Sequence, residues 1–360
     1  MKPVTRKLIA FLAALAGAIL LTGGITAYLD PFMVYHAPQE EFYYELDNAR
    51  YQNRGILKYY DYDALITGTS ITQNFSSDQM DELFGVTTVR VPIPGATFHE
   101  IAQQLDLAAE SGHTLTMALI SLDLNHLIED REALRTDLGI YPEYLSNDNP
   151  FDDVKYLFNR DVMMNYCLPM ITKWLRGGEG GATPMEEYYR MSVSSGGLGV
   201  ILSDRTQFNL PEDSKLEGLT EEERMMTQEN IEENILRLAR ENPDTVYIYF
   251  TAPYSLAWWG NLYEEGNILK YLEAEELAFE MMLQEDNIQI YCYTNRWDIA
   301  ENPDLYGDYI HYVSDINDMI LEDIASGQSQ TLVTAENYAQ FMEEQYEYLL
   351  NCDYNALFDL

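Results

Sequence analysis

Ser70 stands in Gly68-Thr69-Ser70, and His311 closes Asp308-Tyr309-Ile310-His311 near the other end of the chain. A serine hydroxyl is a weak nucleophile until an imidazole within reach takes its proton, and the imidazole needs a carboxylate to hold its tautomer. Ser70, His311 and Asp308 are those three residue types. The chemistry they predict is acyl transfer, in which Ser70 attacks an acyl carbonyl and His311 passes the proton to the leaving alkoxide. Asp308 and His311 are three apart on a loop leading into a predicted helix, Val313 to Ala325, so one turn can carry both side chains toward one point. The sequence leaves two alternatives open: a turn residue or helix cap at Ser70, and a surface histidine at His311.

Positioning such groups needs a sheet. The run Tyr62-Asp63-Ala64-Leu65-Ile66-Thr67 reads as a buried strand from Ala64 to Thr67, Gly68 permits a sharp turn, and Ile71 to Phe84 reads as the next helix. Ser70 is then expected at a strand-to-helix corner, exposed at the sheet's carboxyl end and near the positive end of a helix dipole. Further strands are predicted at Thr87 to Val91, Leu115 to Leu122, Thr245 to Phe250 and Ile288 to Tyr293, with helices at Phe98 to Ser111, Glu221 to Glu241 and Tyr271 to Glu285. The Glu221 helix carries a start signal in Thr220 and Glu223, and Asn242-Pro243 stops it. This alternation implies βαβ units, a mostly parallel sheet and the α/β class, in which ligands bind at the carboxyl ends of the strands.

Lys2, Arg6 and Lys7 precede an uncharged run, Leu8 to Leu29. As a helix it would reach about 33 Å, against about 30 Å of bilayer hydrocarbon. The expected layout is a cytoplasmic tail (1–7), a transmembrane anchor (8–29) and an extracytoplasmic domain (30–360), oriented by the positive-inside rule. A cleaved signal peptide ending near Ile25-Thr26-Ala27 is the competing reading.

With 60 acidic and 21 basic residues the formal charge is −39, which argues against nucleic acid or an anionic membrane surface as the partner of the outer domain. Cys167, Cys292 and Cys352 are widely spaced and allow at most one bridge; Cys292 reads as a buried structural thiol. No metal site is predicted: His-Glu-x-x-His and Cys-x-x-Cys are missing, and the acidic run Asn147 to Asp153 lacks the glycine and glutamate of a calcium loop. No glycine-rich phosphate loop follows a clear strand, so no cofactor is expected. Residues 130–219 show no strand–helix alternation and read as an insertion or lid over the active face, with tyrosines in Tyr141-Pro142-Glu143-Tyr144-Leu145 able to line a carbohydrate site.

The blocks Gly68-Thr69-Ser70, Gly95 after the second strand, Asn125 after the third, and Asp308-Tyr309-Ile310-His311 together resemble the four blocks of the SGNH (GDSL-like) hydrolase superfamily. More narrowly, Asp30-Pro31-Phe32, the run from Gly68 to Phe75, Lys155-Tyr156-Leu157-Phe158-Asn159 and Tyr306 to Tyr312 resemble a group of membrane-anchored, cell-envelope SGNH-like proteins, distantly similar to the D-alanyl transfer protein of teichoic acid modification. The resemblance implies a flavodoxin-like, three-layer α/β/α fold and a Ser70–His311–Asp308 triad. It also implies an oxyanion hole built from the amide of Ser70, the glycine Gly95 and the side chain of Asn125. Two departures stand out: threonine at 69 where the family has aspartate, and no glycine two places before Asn125. His126 has no spacing that pairs it with a serine, and Asp123, at a strand's end, is placed to orient an active-site group or bind a cation. The function implied is an extracytoplasmic esterase removing O-acyl groups from an envelope glycopolymer. The alternatives are an O-acyltransferase working with a membrane-bound O-acyltransferase, and a non-catalytic binding scaffold.

Overall fold

The computed structural model describes residues 3–138, 142–145, 149, 151–202, 205–212 and 215–359. Tyr141, named for a carbohydrate site, and residues 147, 148 and 150 of the acidic run 147–153 lie outside the described residues. The chain divides into two compact units, Met1–Tyr60 with Gly139–Tyr189, and Asp61–Leu138 with Arg190–Leu360. The segment 130–219 is thus shared between them.

In the first unit a 27-residue helix, Pro3–Leu29, is long and apolar enough from Val4 to Leu29 to cross a membrane. It starts before the expected Leu8 because Arg6 and Lys7 are good helix formers and extend it. Beyond it the buried Asp30 carboxylate accepts from the backbone amides of Val34 (3.0 Å), Tyr35 (2.6 Å) and His36 (3.0 Å) and from the Tyr156 hydroxyl (2.8 Å). Two motifs that the sequence shows separately, Asp30-Pro31-Phe32 and Lys155 to Asn159, are therefore one hydrogen-bonded knot. Burial pushes the Asp30 carboxyl up, against the pull of those four donors.

Eight strands occur among the described residues: β1 Tyr43–Tyr44, β2 Ala64–Gly68, β3 Thr88–Pro92, β4 Met117–Ser121, β5 Gly181–Ala182, β6 Val246–Thr251, β7 Ile288–Cys292 and β8 Leu332–Val333. β1 and β5 pair in the first unit. The other six form the sheet of the second unit in the order β3-β2-β4-β6-β7-β8, all parallel except β8. β2 and β3 are buried along their whole length, as in a parallel sheet covered on both faces; β2 is apolar over Ala64–Ile66, whereas β3 buries Arg90 between two valines. The five predicted strands all form within two residues of their predicted ends. Helices Phe98–Glu110, Ile268–Met282 and Ser314–Ala325 likewise form near their predictions, and Glu221–Glu241 is continuous but contains a π turn at Glu232–Leu236.

One prediction fails. The expected helix Ile71 to Phe84 is a 3-10 turn, Ser70–Thr72, followed by a separate α-helix, Ser77–Phe84. The Thr69 and Thr72 hydroxyls bond to nearby backbone and Ser76 caps the later helix, so side chains compete with helical hydrogen bonding over this stretch. Ser70 thus heads a short turn rather than an α-helix, and the dipole expected behind it is lost.

Candidate active site

Gly68 ends β2 with φ of +135°, a conformation suited to glycine, and a Cβ there would lie 2.3 Å from the Ser121 hydroxyl. The absent side chain lets β2 and β4 close together while the chain turns. Thr69 follows with its amide donating to Ser121 Oγ (3.2 Å), and Ser70 emerges half-buried at the carboxyl end of the sheet.

His311 and Asp308 come from the loop after β7. An antiparallel bridge, Tyr306 to Tyr312, closes this loop, supported by the Gly307 amide donating to the His311 carbonyl (2.9 Å). The buried Tyr306 hydroxyl donates to the Pro253 carbonyl (2.6 Å), and the Ser255 hydroxyl to the Tyr309 carbonyl (2.7 Å), which tie the loop to the end of β6. Residues after Arg190 brace it from another side: the Gly196 amide donates to the Tyr306 carbonyl (2.8 Å), and Val193 packs where a side chain on Gly307 would stand.

This scaffold sets His311 Nε2 2.8 Å from Ser70 Oγ and His311 Nδ1 2.7 Å from Asp308 Oδ2. Asp308 Oδ1 accepts from the amides of Ile310 and His311, each at 2.7 Å. Partial burial works against the charge of Asp308, but the bonds from His311 and these amides hold its carboxyl below the usual range. A carboxylate so held stays ionised and fixes the imidazole with Nδ1 protonated, leaving Nε2 to accept from the serine. Ser70, Asp308 and His311 are therefore brought together in the order a nucleophile, base and orienting acid need.

Gly95 and Asn125 follow β3 and β4, the two strands that flank β2. Gly95 has φ of +64°, and its carbonyl accepts from Arg135 Nη1 (2.8 Å). The amides of Ser70 and Gly95 make no hydrogen bond among the described residues. Asn125 gives its backbone amide (3.1 Å) and one side-chain N–H (3.0 Å) to Asp123 Oδ1, which leaves its second amide hydrogen free.

Asp123, which its place at a strand's end marks as able to orient an active-site group, ties several of these segments together. It is buried and also accepts from Thr69 Oγ1 (2.8 Å) and the Tyr254 hydroxyl (2.7 Å). Burial alone would raise its pKa, yet the neighbouring His126 and these donors hold it below the ordinary value. His126 itself pairs with Glu129 (3.0 Å) rather than with a serine; its pKa is raised because that partner and the Asp123 charge outweigh burial. The three cysteines are free. Among the described residues, no group of three or more histidine, cysteine, aspartate or glutamate side chains could hold a metal.

Two hollows adjoin these groups. A small one is lined by Ser70, Asn74, Met191, His311, Tyr312 and Asn317. A larger cavity of about 430 Å³ is bounded by Asn125 and Tyr309 and walled by Trp258, Tyr271, Phe208 and Leu202, with Asn261, Arg205 and Glu265 as further polar members. The Asn261 amide and the Tyr271 hydroxyl have no hydrogen-bond partner among the described residues.

Comparison of the chain with protein-family models, with curated proteins and with solved structures returned no match.

Proposed function

We propose that this chain is a membrane-anchored, extracytoplasmic serine esterase of the SGNH type, acting on O-acyl groups of an envelope glycopolymer. The observation that carries the reading is the unbroken Ser70–His311–Asp308 hydrogen-bond series at the carboxyl end of β2. Counted within its own sheet, the strand order is 2-1-3-4-5 with an added antiparallel edge, the order of flavodoxin-like folds, and this favours the SGNH assignment. Lys2, Arg6 and Lys7, ahead of the uncharged run from Leu8, favour an orientation with the first residues in the cytoplasm.

In this mechanism Ser70 Oγ attacks the acyl carbon as His311 Nε2 takes its proton. The developing oxyanion meets the free amides of Ser70 and Gly95 and the second amide hydrogen of Asn125. Collapse expels the sugar alkoxide, which takes the proton from His311. Water, deprotonated by the same imidazole, then releases the carboxylic acid and restores Ser70. The aromatic walls and unpartnered amide of the larger cavity suit a sugar ring, which offers apolar faces and hydroxyl edges together.

A second reading, transfer of the acyl group to a polyol hydroxyl, is favoured by the long apolar N-terminal helix, which would tether the chain to a membrane that carries an acyl donor.

The test is turnover of an aryl acetate and of an acetylated glycan by the full chain and by Ser70→Ala. Loss of about a thousandfold or more in the variant supports the nucleophile. Equal rates in both proteins sink it, and leave the binding scaffold in its place. Adding glycerol to the wild type separates the two enzymatic readings, since only a transferase makes glyceryl acetate in preference to acetate.

A further inference from the structure

Where the N-terminal helix leaves its exposed stretch, a second apolar surface begins. Side chains from Val4 to Leu21 are all exposed, and the first buried residue of the helix is Gly23. That bare stretch spans about 27 Å, close to the roughly 30 Å of bilayer hydrocarbon. At the point where it ends, the Phe158 ring packs so tightly that a Cβ on Gly23 would lie 2.8 Å from it, and Tyr156 stacks on Phe32 with ring centres 5.4 Å apart. The helical run Val154–Leu157, Arg160–Val162, the π turn Met163–Cys167 and Leu168–Leu175 is thereby fixed at the level where the span emerges.

This run is unusual in what it exposes. Of the twelve large apolar side chains exposed beyond Leu29 among the described residues, seven lie between Phe151 and Leu175, including Phe151 (84%), Leu175 (69%), Met164 (51%) and Trp174 (49%). Leu168, Ile171 and Leu175 recur at i, i+3 and i+7 along one helix face. Residues 151–176 hold Lys155, Arg160, Lys173 and Arg176 against Asp152, Asp153 and Asp161, a slight basic excess in a chain with 60 acidic and 21 basic residues. The chain-wide charge predicts repulsion from an anionic surface, and this run is a local exception to it.

We propose that residues 151–176 form a second membrane contact. Their apolar side chains lie in the headgroup–acyl boundary of the bilayer spanned by the N-terminal helix, and their basic side chains reach lipid phosphates. The occupant is lipid because the patch is continuous with the span and begins where one hydrocarbon thickness ends. The proposal rests on the reading of Val4–Leu29 as a membrane span.

Trp174 supplies the reporter. The full chain is reconstituted in vesicles of phosphatidylcholine with a quarter phosphatidylglycerol, with part of the phosphatidylcholine brominated near the headgroup. Tryptophan emission should be quenched in the wild type, and the quenched fraction should fall at least twofold in Trp174→Phe. Leu168→Glu with Leu175→Glu should likewise lower quenching of Trp174 at least twofold while far-ultraviolet circular dichroism is unchanged. Alkaline extraction of the same vesicles separates the two layers of inference. A retained chain with Trp174 unquenched overturns the second contact alone and points to a protein partner on this face; a released chain overturns the span and this proposal with it.

Discussion

The Thr69 hydroxyl donates to the Asp123 carboxylate at 2.8 Å, which joins the residue before the candidate nucleophile to the end of the next strand. Asp123 holds Asn125 by two further bonds, so a single carboxylate sets both the serine corner and the amide proposed to meet the oxyanion. Asp123→Asn would turn an N–H toward these donors. We expect kcat to fall about 10- to 100-fold with KM changed less than threefold, and stability to drop by about 2 kcal/mol, the scale of a lost bond to a buried charge. A folded variant with undiminished kcat would remove Asp123 from the positioning role.

Asp308 is a different case, because its side chain is 44% exposed and little packing depends on it. Asp308→Asn can present the wrong hydrogen-bonding group to His311 Nδ1 and so favour the unproductive tautomer. The expected loss is on the order of 10⁴ in kcat with an unchanged melting temperature. A variant that keeps a tenth of wild-type turnover would show that another group orients the imidazole.

Tyr309 lies between the acid and the base in sequence, is 42% exposed and bounds the larger cavity. Tyr309→Ala should raise KM for an acetylated glycan about 3- to 10-fold, the scale of one aromatic contact, and leave an aryl acetate nearly unaffected. Equal effects on both substrates would mean that the residue serves the loop and not the sugar.

Glu275, fully buried beneath β7, accepts from Thr294 Oγ1 (3.0 Å) and Gln345 Nε2 (3.4 Å) on one oxygen. Burial pushes its carboxyl up to about 7 from an ordinary 4.5. The folded state therefore keeps a proton that the unfolded chain has already lost. Its contribution is complete below about pH 4.5 and disappears as pH rises through about 7, a swing of about 3 kcal/mol. Denaturant midpoints at pH 5 and pH 8 should differ less in Glu275→Gln than in the wild type. An identical pH dependence in the two proteins would place the titration elsewhere.

The bond from Tyr156 to Asp30 is the longest-range tie of the knot behind the N-terminal helix, 126 residues apart in sequence. Tyr156→Phe keeps the ring stacked on Phe32 and removes the hydroxyl. It should destabilise the first unit by about 1.5–3 kcal/mol, seen as faster amide exchange at Val34 to His36. Unchanged exchange there would mean that the three backbone donors suffice.

Most strands of the main sheet were legible because they are short, largely apolar runs between turn residues, and Ser70, Asp308 and His311 because the chain has only five histidines and these three fall in short blocks at a strand end and a loop. The break after Ser70 was not, since Thr69, Thr72 and Ser76 divert backbone bonds by contacts that apolar periodicity does not register. Helix Leu256–Glu264 is buried along most of its length and so shows no polar face, while β8 is too short for any alternation. Asp123 was legible as a carboxylate at a strand's end, but not its partners Thr69, Asn125 and Tyr254, which only folding brings together.

Both borders of the sheet are built against pairing with another chain. β8 offers two residues, and β3, at the other edge, carries the buried Arg90 and ends in Pro92, which has no N–H to give. An incoming strand would find no ladder to extend at either side. At high local concentration an open edge would seed aggregates, and short or proline-ended edges oppose that route to polymers.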